Sequence, residues 1–93
     1  MPVSDAALYT VFLKPAAERA LKKIASPTLR RIAKAIDSLG TNPRPSGVTA
    51  LRGEPGLLRI RVGDYRIIYT VRDDVLTVLV VTVGHRRDVY KRR

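Results

Sequence analysis

The stretch that decides the fold is Leu57–Arg72, LLRIRVGDYRIIYTVR. Two runs rich in aliphatic, β-branched and aromatic residues flank Gly63-Asp64, and a two-residue Gly-first loop between such runs is a hairpin signal. The loop sets a register in which Val62 pairs with Tyr65, Arg61 with Arg66, Ile60 with Ile67, Arg59 with Ile68 and Leu58 with Tyr69. Side chains alternate along a strand. One face of the hairpin therefore carries Leu58, Ile60, Val62, Tyr65, Ile67, Tyr69 and Val71, and the other carries Arg59, Arg61, Arg66, Ile68 and Arg72. The first is a floor for packing. The second sets Arg61 directly across from Arg66, although like charges opposite one another destabilise a sheet.

Working outward, Val75–Val83 reads as a third strand joined through Asp73-Asp74, a weaker turn because type I′ geometry prefers Gly at its second site. That turn puts Leu76, Val78 and Val80 on the apolar face and Thr77, Leu79, Val81 and Val83 on the arginine face. Gly84 is expected to break the strand, leaving the tail His85-Arg86-Arg87-Asp88-Val89-Tyr90-Lys91-Arg92-Arg93. Upstream, Leu8–Leu13 (LYTVFL) reads as a strand. Pro15 opens a helix to about Ile24 with Ala17, Leu21 and Ile24 on one stripe. Ser26-Pro27 restarts a second helix as an N-cap Ser followed by Pro at the first helical position. That helix sets Leu29, Ile32, Ala33, Ile36 and Leu39 at helical spacing, with Gly40 placed to end it. Thr41–Ala50 (TNPRPSGVTA) is a Pro/Gly/Ser-rich loop, too short for a domain linker. The expectation is one α+β domain over residues 1–93, an antiparallel sheet with an N-terminal helical hairpin packed on one face.

Composition narrows the partners. Eighteen Lys+Arg against eight Asp+Glu give a formal charge of +10, with a sequence pI near 10.9. Such a surface attracts polyanions. Arginine dominates lysine, and its planar fork matches phosphate geometry, so nucleic acid ranks first as partner, ahead of an acidic protein and of charge kept for solubility. There is no cysteine, hence no disulfide framework and no thiol chemistry. No long uncharged apolar run would span a membrane, and the N-terminal segment lacks a secretory pattern, so a cytoplasmic address is expected by default.

Individual residues admit two readings. The arginines on the sheet face either snorkel outward as a solvated surface or gather to bind an anion, and Ile68, Leu79, Val81 and Val83 beside them favour a concavity. His85, the single histidine, is the one side chain whose ordinary pKa lies near neutrality, though a lone histidine is more often structural. Tyr90 either anchors the tail or stacks on a base. Arg86, Arg87 and Lys91 either add RNA-binding charge or are ordinary tail charge.

The block LRGEPGLLRIRVGDYRIIYTV, followed by a strand and then VGHRRDVYKRR, resembles the RelE toxins of bacterial and archaeal toxin–antitoxin modules across nearly the whole chain. The resemblance implies a microbial-ribonuclease-like fold, a toxin that cuts mRNA in the ribosomal A site, and a cognate antitoxin that wraps and neutralises it. Arg59 and Arg61 match positions where RelE toxins often carry lysine. Arg66, Arg86 and Tyr90 match the family's arginines and tail tyrosine, and His85 stands where some relatives have lysine. The implied chemistry is transesterification without metal or other cofactor, giving a 2′,3′-cyclic phosphate and a 5′-hydroxyl. Arg61, Arg66 and Arg86 would stabilise the phosphorane, while Arg59, Arg87 and Lys91 bind RNA. Tyr90 would stack on a base or assist proton transfer. Arginine cannot serve as an ordinary general base at neutral pH, so His85 becomes a candidate acid or base. The alternatives are a ParE-like gyrase inhibitor without nuclease chemistry and a non-catalytic RNA- or ribosome-binding module.

Overall fold

The computed structural model describes residues 8–85. Its elements run β1 (Thr10–Leu13), α1 (Pro15–Leu21), α2 (Ser26–Ser38), β2 (Thr49–Ala50), β3 (Leu58–Val62), β4 (Tyr65–Arg72) and β5 (Thr77–His85). They form a five-stranded sheet in the order β1-β5-β4-β3-β2. Helix α1 packs over β5 and β1, and α2 over β3, giving the expected α+β arrangement of a helical pair on one side of a sheet. The sheet is mixed where an antiparallel one was expected. β1 runs parallel to β5, with Val11 beside Val78 and Leu13 beside Val80, and parallel neighbours need a long crossover, here everything between them.

The β3–β4 hairpin has the register read from its loop, from Val62 opposite Tyr65 to Leu58 opposite Tyr69. Gly63 takes φ 59° at the first loop position, a backbone that only glycine adopts without strain. The apolar floor follows: Ile60, Ile67 and Tyr69 are buried, and Leu58, Val62, Tyr65 and Val71 pack partly buried against them. From above come Ala17, Ile32, Ile36 and Leu39, all buried. Ala33 is exposed instead, because the inward stripe of α2 runs through Ala35 on its other side.

Several boundaries differ from expectation for local reasons. Helix α1 stops at Leu21, and Lys23 and Ile24 donate to carbonyls three residues back, at Ala20 and Leu21, in a tightened last turn. Ser26 is the first residue of α2 and Ala25 is its N-cap, with no side-chain capping bond. Residues 41–50 are not all loop, since Thr49 and Ala50 pair with Arg59 and Leu58. Leu8 stays outside β1 and exposed. Gly40 is buried, and a Cβ there would meet the Tyr9 carbonyl oxygen at 3.1 Å. This close approach lets the Gly40 carbonyl accept from the Leu8 and Tyr9 amides.

The largest departures lie in β5. The link from β4 is four residues, a helical turn at Asp73–Val75 and then Leu76 in the left-handed region at φ 47°. Leu76 is thereby exposed, against the expectation that it joins the floor. Thr77 pairs with Arg72. That is a shift of two residues from a two-residue turn, so face parity is kept and Val78 and Val80 are fully buried as expected. A bulge follows. Tyr69 pairs with Val80 but Ile68 with Thr82, which leaves Val81 as the extra residue. One inserted residue exchanges the faces of everything beyond it. Val83 is therefore buried in the core opposite Ile67, not on the arginine face. Gly84 does not break the strand, which continues to His85.

A polar clasp ties the turn to the N-terminal side. Asp73 receives both guanidinium nitrogens of Arg44, at 3.1 and 2.9 Å, and the Tyr9 hydroxyl at 2.6 Å. The Arg44 contact, with Tyr9 second, lowers its pKa from 3.8 to about 2. Beside it, Arg72 holds Asp74 below the ordinary carboxylate range. Beneath, the buried Tyr69 hydroxyl donates to the Pro43 carbonyl at 2.7 Å, and burial pushes its pKa up to about 12. Tyr69→Phe leaves that carbonyl without its partner and is expected to lower stability by about 1–2 kcal/mol, read from the shift of a urea denaturation midpoint. Because the folded pKa of Asp73 is depressed, its contribution is present above 3.8 and disappears as pH falls toward about 2. Unfolding curves of wild type and Asp73→Asn should converge across that window and stay apart at neutral pH.

Candidate nucleic-acid interface

Strands β3 and β4 deliver Arg59, Arg61 and Arg66 to the side of the sheet away from the helices, with Arg61 directly across from Arg66. Their surroundings differ. Arg61 is exposed and Arg59 is half-buried. Arg66 is only 7 % exposed and is the buried charged residue among those described. Ile68, next along the same face, is also buried, while Leu79 and Val81 are half-buried. The arginines thus sit against apolar surface, where a guanidinium interacts more strongly with an anion than it would in bulk water. On β5 the residue paired with Arg66 is Gly84, so that flank carries no side chain.

Openings adjoin this face on the β3 side. A depression of about 280 Å³ is lined by Gly47, Thr49, Arg59 and Arg61. Another of about 330 Å³ lies between α2, the 45–47 loop and β3, and shares Arg61. The loop and the short β2 form an outer wall that residue patterning does not disclose. The Pro45-Ser46-Gly47 turn is visible in the sequence, but a two-residue strand after it carries no periodic signal.

His85 is not brought to the arginines. It pairs with Tyr65 at the end of β5, and the two rings meet edge to face with centroids 5.6 Å apart at 78°. Both line a groove of about 350 Å³ against α1, with Arg19 and Lys23 on its far side. Arg86, Arg87, Tyr90 and Lys91 lie outside the described residues. Among the described residues no group of three or more His, Asp or Glu side chains gathers as a metal would need, and no helix is long and apolar enough to cross a membrane.

What Arg59, Arg61 and Arg66 can do together is hold phosphate and stabilise added negative charge on it, since guanidinium groups donate in a rigid fork and do not give up a proton near neutrality. The comparisons with known proteins bear on the family. The family model for the ParE toxin of type II toxin–antitoxin systems matches residues 11–90. Toxin RelG of Mycobacterium tuberculosis is 33% identical over 85 residues, covering 90% of this chain and 98% of its own. Among solved structures, the toxin–antitoxin complex RelBE2 of Mycobacterium tuberculosis superposes with TM-score 0.75 at 31% identity over 84% of this chain and 98% of that one. The archaeal RelE–RelB complex of Pyrococcus horikoshii gives TM-score 0.75 at 28% identity, over 85% and 96%. The chain belongs to the RelE/ParE superfamily of toxins from toxin–antitoxin systems. The family model is described for the ParE branch while the relatives above carry RelE-type names, so the branch bears on the function proposed next.

Binding to single-stranded RNA should be salt-dependent. Arg61→Ala is expected to flatten the slope of log K against log salt by about 0.7 for each phosphate that the variant no longer neutralises, measured by fluorescence anisotropy on an RNA that cannot be cleaved.

Proposed function

We propose that the protein is the toxin of a type II toxin–antitoxin pair that cuts mRNA in the A site of the ribosome, as an endoribonuclease that uses no metal. The 2′-oxygen gives up its proton and attacks the adjacent phosphorus. The bond from phosphorus to the 5′-oxygen breaks and that oxygen is protonated, leaving a 2′,3′-cyclic phosphate and a 5′-hydroxyl. Arg61 and Arg66, with Arg86 from the tail, stabilise the charge of the pentavalent phosphorane, an effect that often dominates catalysis. Arg59 orients the RNA backbone, Arg87 and Lys91 add binding charge, and Tyr90 stacks on a base or assists proton transfer. The observation that carries this reading is the cross-strand pair Arg61–Arg66, with Arg66 shielded from water at 7 % exposure. Two like charges kept opposite one another work against the sheet, and a bound phosphate removes the conflict.

The protein partner under this reading is a cognate antitoxin, as in the RelBE2 and RelE–RelB complexes of the solved relatives. A partly acidic segment that folds on contact would suit the charge of +10. The match to the ParE family model supports a second reading, inhibition of DNA gyrase by binding alone.

Primer extension on a defined mRNA in a reconstituted translation system separates the two. Cuts at A-site codons that require ribosomes are expected. Arg61→Ala and Arg66→Lys should lower turnover by about a hundred- to a thousandfold, with a smaller loss of binding. Intact mRNA with folded wild-type protein, together with blocked gyrase supercoiling, would instead favour the second reading.

A further inference from the structure

The bulge at Val81 decides which side of the sheet the end of β5 serves. Without it, strict alternation from Val80 would carry residue 85 to the arginine face. With it, Thr82 and Gly84 lie beside Ile68 and Arg66, while Val83 and His85 lie beside Ile67 and Tyr65 on the helix side. The sheet itself therefore stands between His85 and an RNA phosphate held by Arg61 and Arg66, and a general base must come within hydrogen-bond reach of the proton that it removes. The imidazole lines a groove bounded on α1 by Arg19 and Lys23 and on β4 by Tyr65.

Its contact with Tyr65 is specific. Tyr65 and His85 are a register pair whose rings meet edge to face at 5.6 Å, a favoured aromatic geometry. The adjoining pair of the same ladder is Arg66 with Gly84. The last two described rungs of the β4–β5 ladder thus carry the ring pair on one side and the shielded arginine on the other. We propose that His85 is a positioning residue and not the proton acceptor, its ring clamped on Tyr65 so that the end of the β4–β5 ladder holds Arg66 in place.

This inference rests on the nuclease reading for its kinetic test and is independent of it for its structural one. The variants His85→Phe, His85→Ala, Tyr65→Phe and Tyr65→Ala are compared by single-turnover cleavage in programmed ribosomes and by amide hydrogen exchange. The Phe variants keep a ring and should retain turnover near wild type, with an unchanged pH profile. The Ala variants should lose about ten- to a hundredfold in kcat with little change in KM, as expected when reacting groups are displaced by about an ångström. If His85→Phe is as damaged as His85→Ala, and both lack a limb of the pH profile seen in wild type, then His85 takes the proton and the proposal falls. Exchange at Arg66 and Gly84 should quicken in His85→Ala and not in His85→Phe. Unchanged exchange in His85→Ala overturns the clamp. Absence of cleavage by wild type would overturn the nuclease reading alone, and the exchange result would still decide the clamp.

Discussion

The register between β3 and β4 is the constraint on which the rest depends. Gly63 supplies a backbone conformation that L side chains avoid, and the two-residue loop leaves one way to align the flanking strands. Once aligned, the alternation of side chains sorts Ile60, Ile67 and Tyr69 into the core and Arg59, Arg61 and Arg66 away from it. A slip of one residue would turn the arginines of one strand, either Arg59 and Arg61 or Arg66, under the helices, where an unpaired charge costs several kcal/mol. The cost of the wrong register therefore protects the right one, and the same two strands that floor the core present the candidate site on their other face.

That hairpin was legible because each link in it is local. Its loop, its alternation and its faces all lie within Leu57–Arg72, and the observed pairs match those read from the loop. The helices were legible for the same reason, with Ala17, Ile32, Ile36 and Leu39 inward as spaced. What escaped depends on geometry that residue types do not encode. Asp73-Asp74 accommodates a four-residue link as readily as a two-residue one, since its carboxylates find Arg44, Tyr9 and Arg72 from distant or adjacent positions. The parallel seat of β1 against β5 needs contacts across most of the chain. The bulge falls in Val78–Val83, VLVVTV, where β-branched residues fit either face and nothing marks the extra one.

The consequences of these two features differ. A loop longer by two residues moves partners along the strand but preserves faces, so Val78 and Val80 stay in the core. A bulge of one residue changes faces without moving the strand. Of the candidate residues, Arg59, Arg61 and Arg66 lie on β3 and β4, which carry no extra residue, and were grouped as expected, whereas His85 follows the bulge on β5 and lies on the other side. The faces read from sequence thus hold at Arg59, Arg61 and Arg66 and at Val78 and Val80, and are exchanged beyond Val81, at Val83.

The position of β5 bears on how such a protein is made. It is second in the sheet, between β1 and β4, yet it is the last described element along the chain. It contributes Val78, Val80 and Val83 to the core and closes the pairing with Thr10–Leu13, some two thirds of the chain away. During vectorial synthesis the earlier elements must wait, uncompacted on one side, until this strand clears the exit tunnel, and the entropy of closing so long a loop is met only then. A partial chain has hydrophobic faces but no completed sheet. The core and the ladder that carries Arg66 therefore form together, in the one step that adds β5.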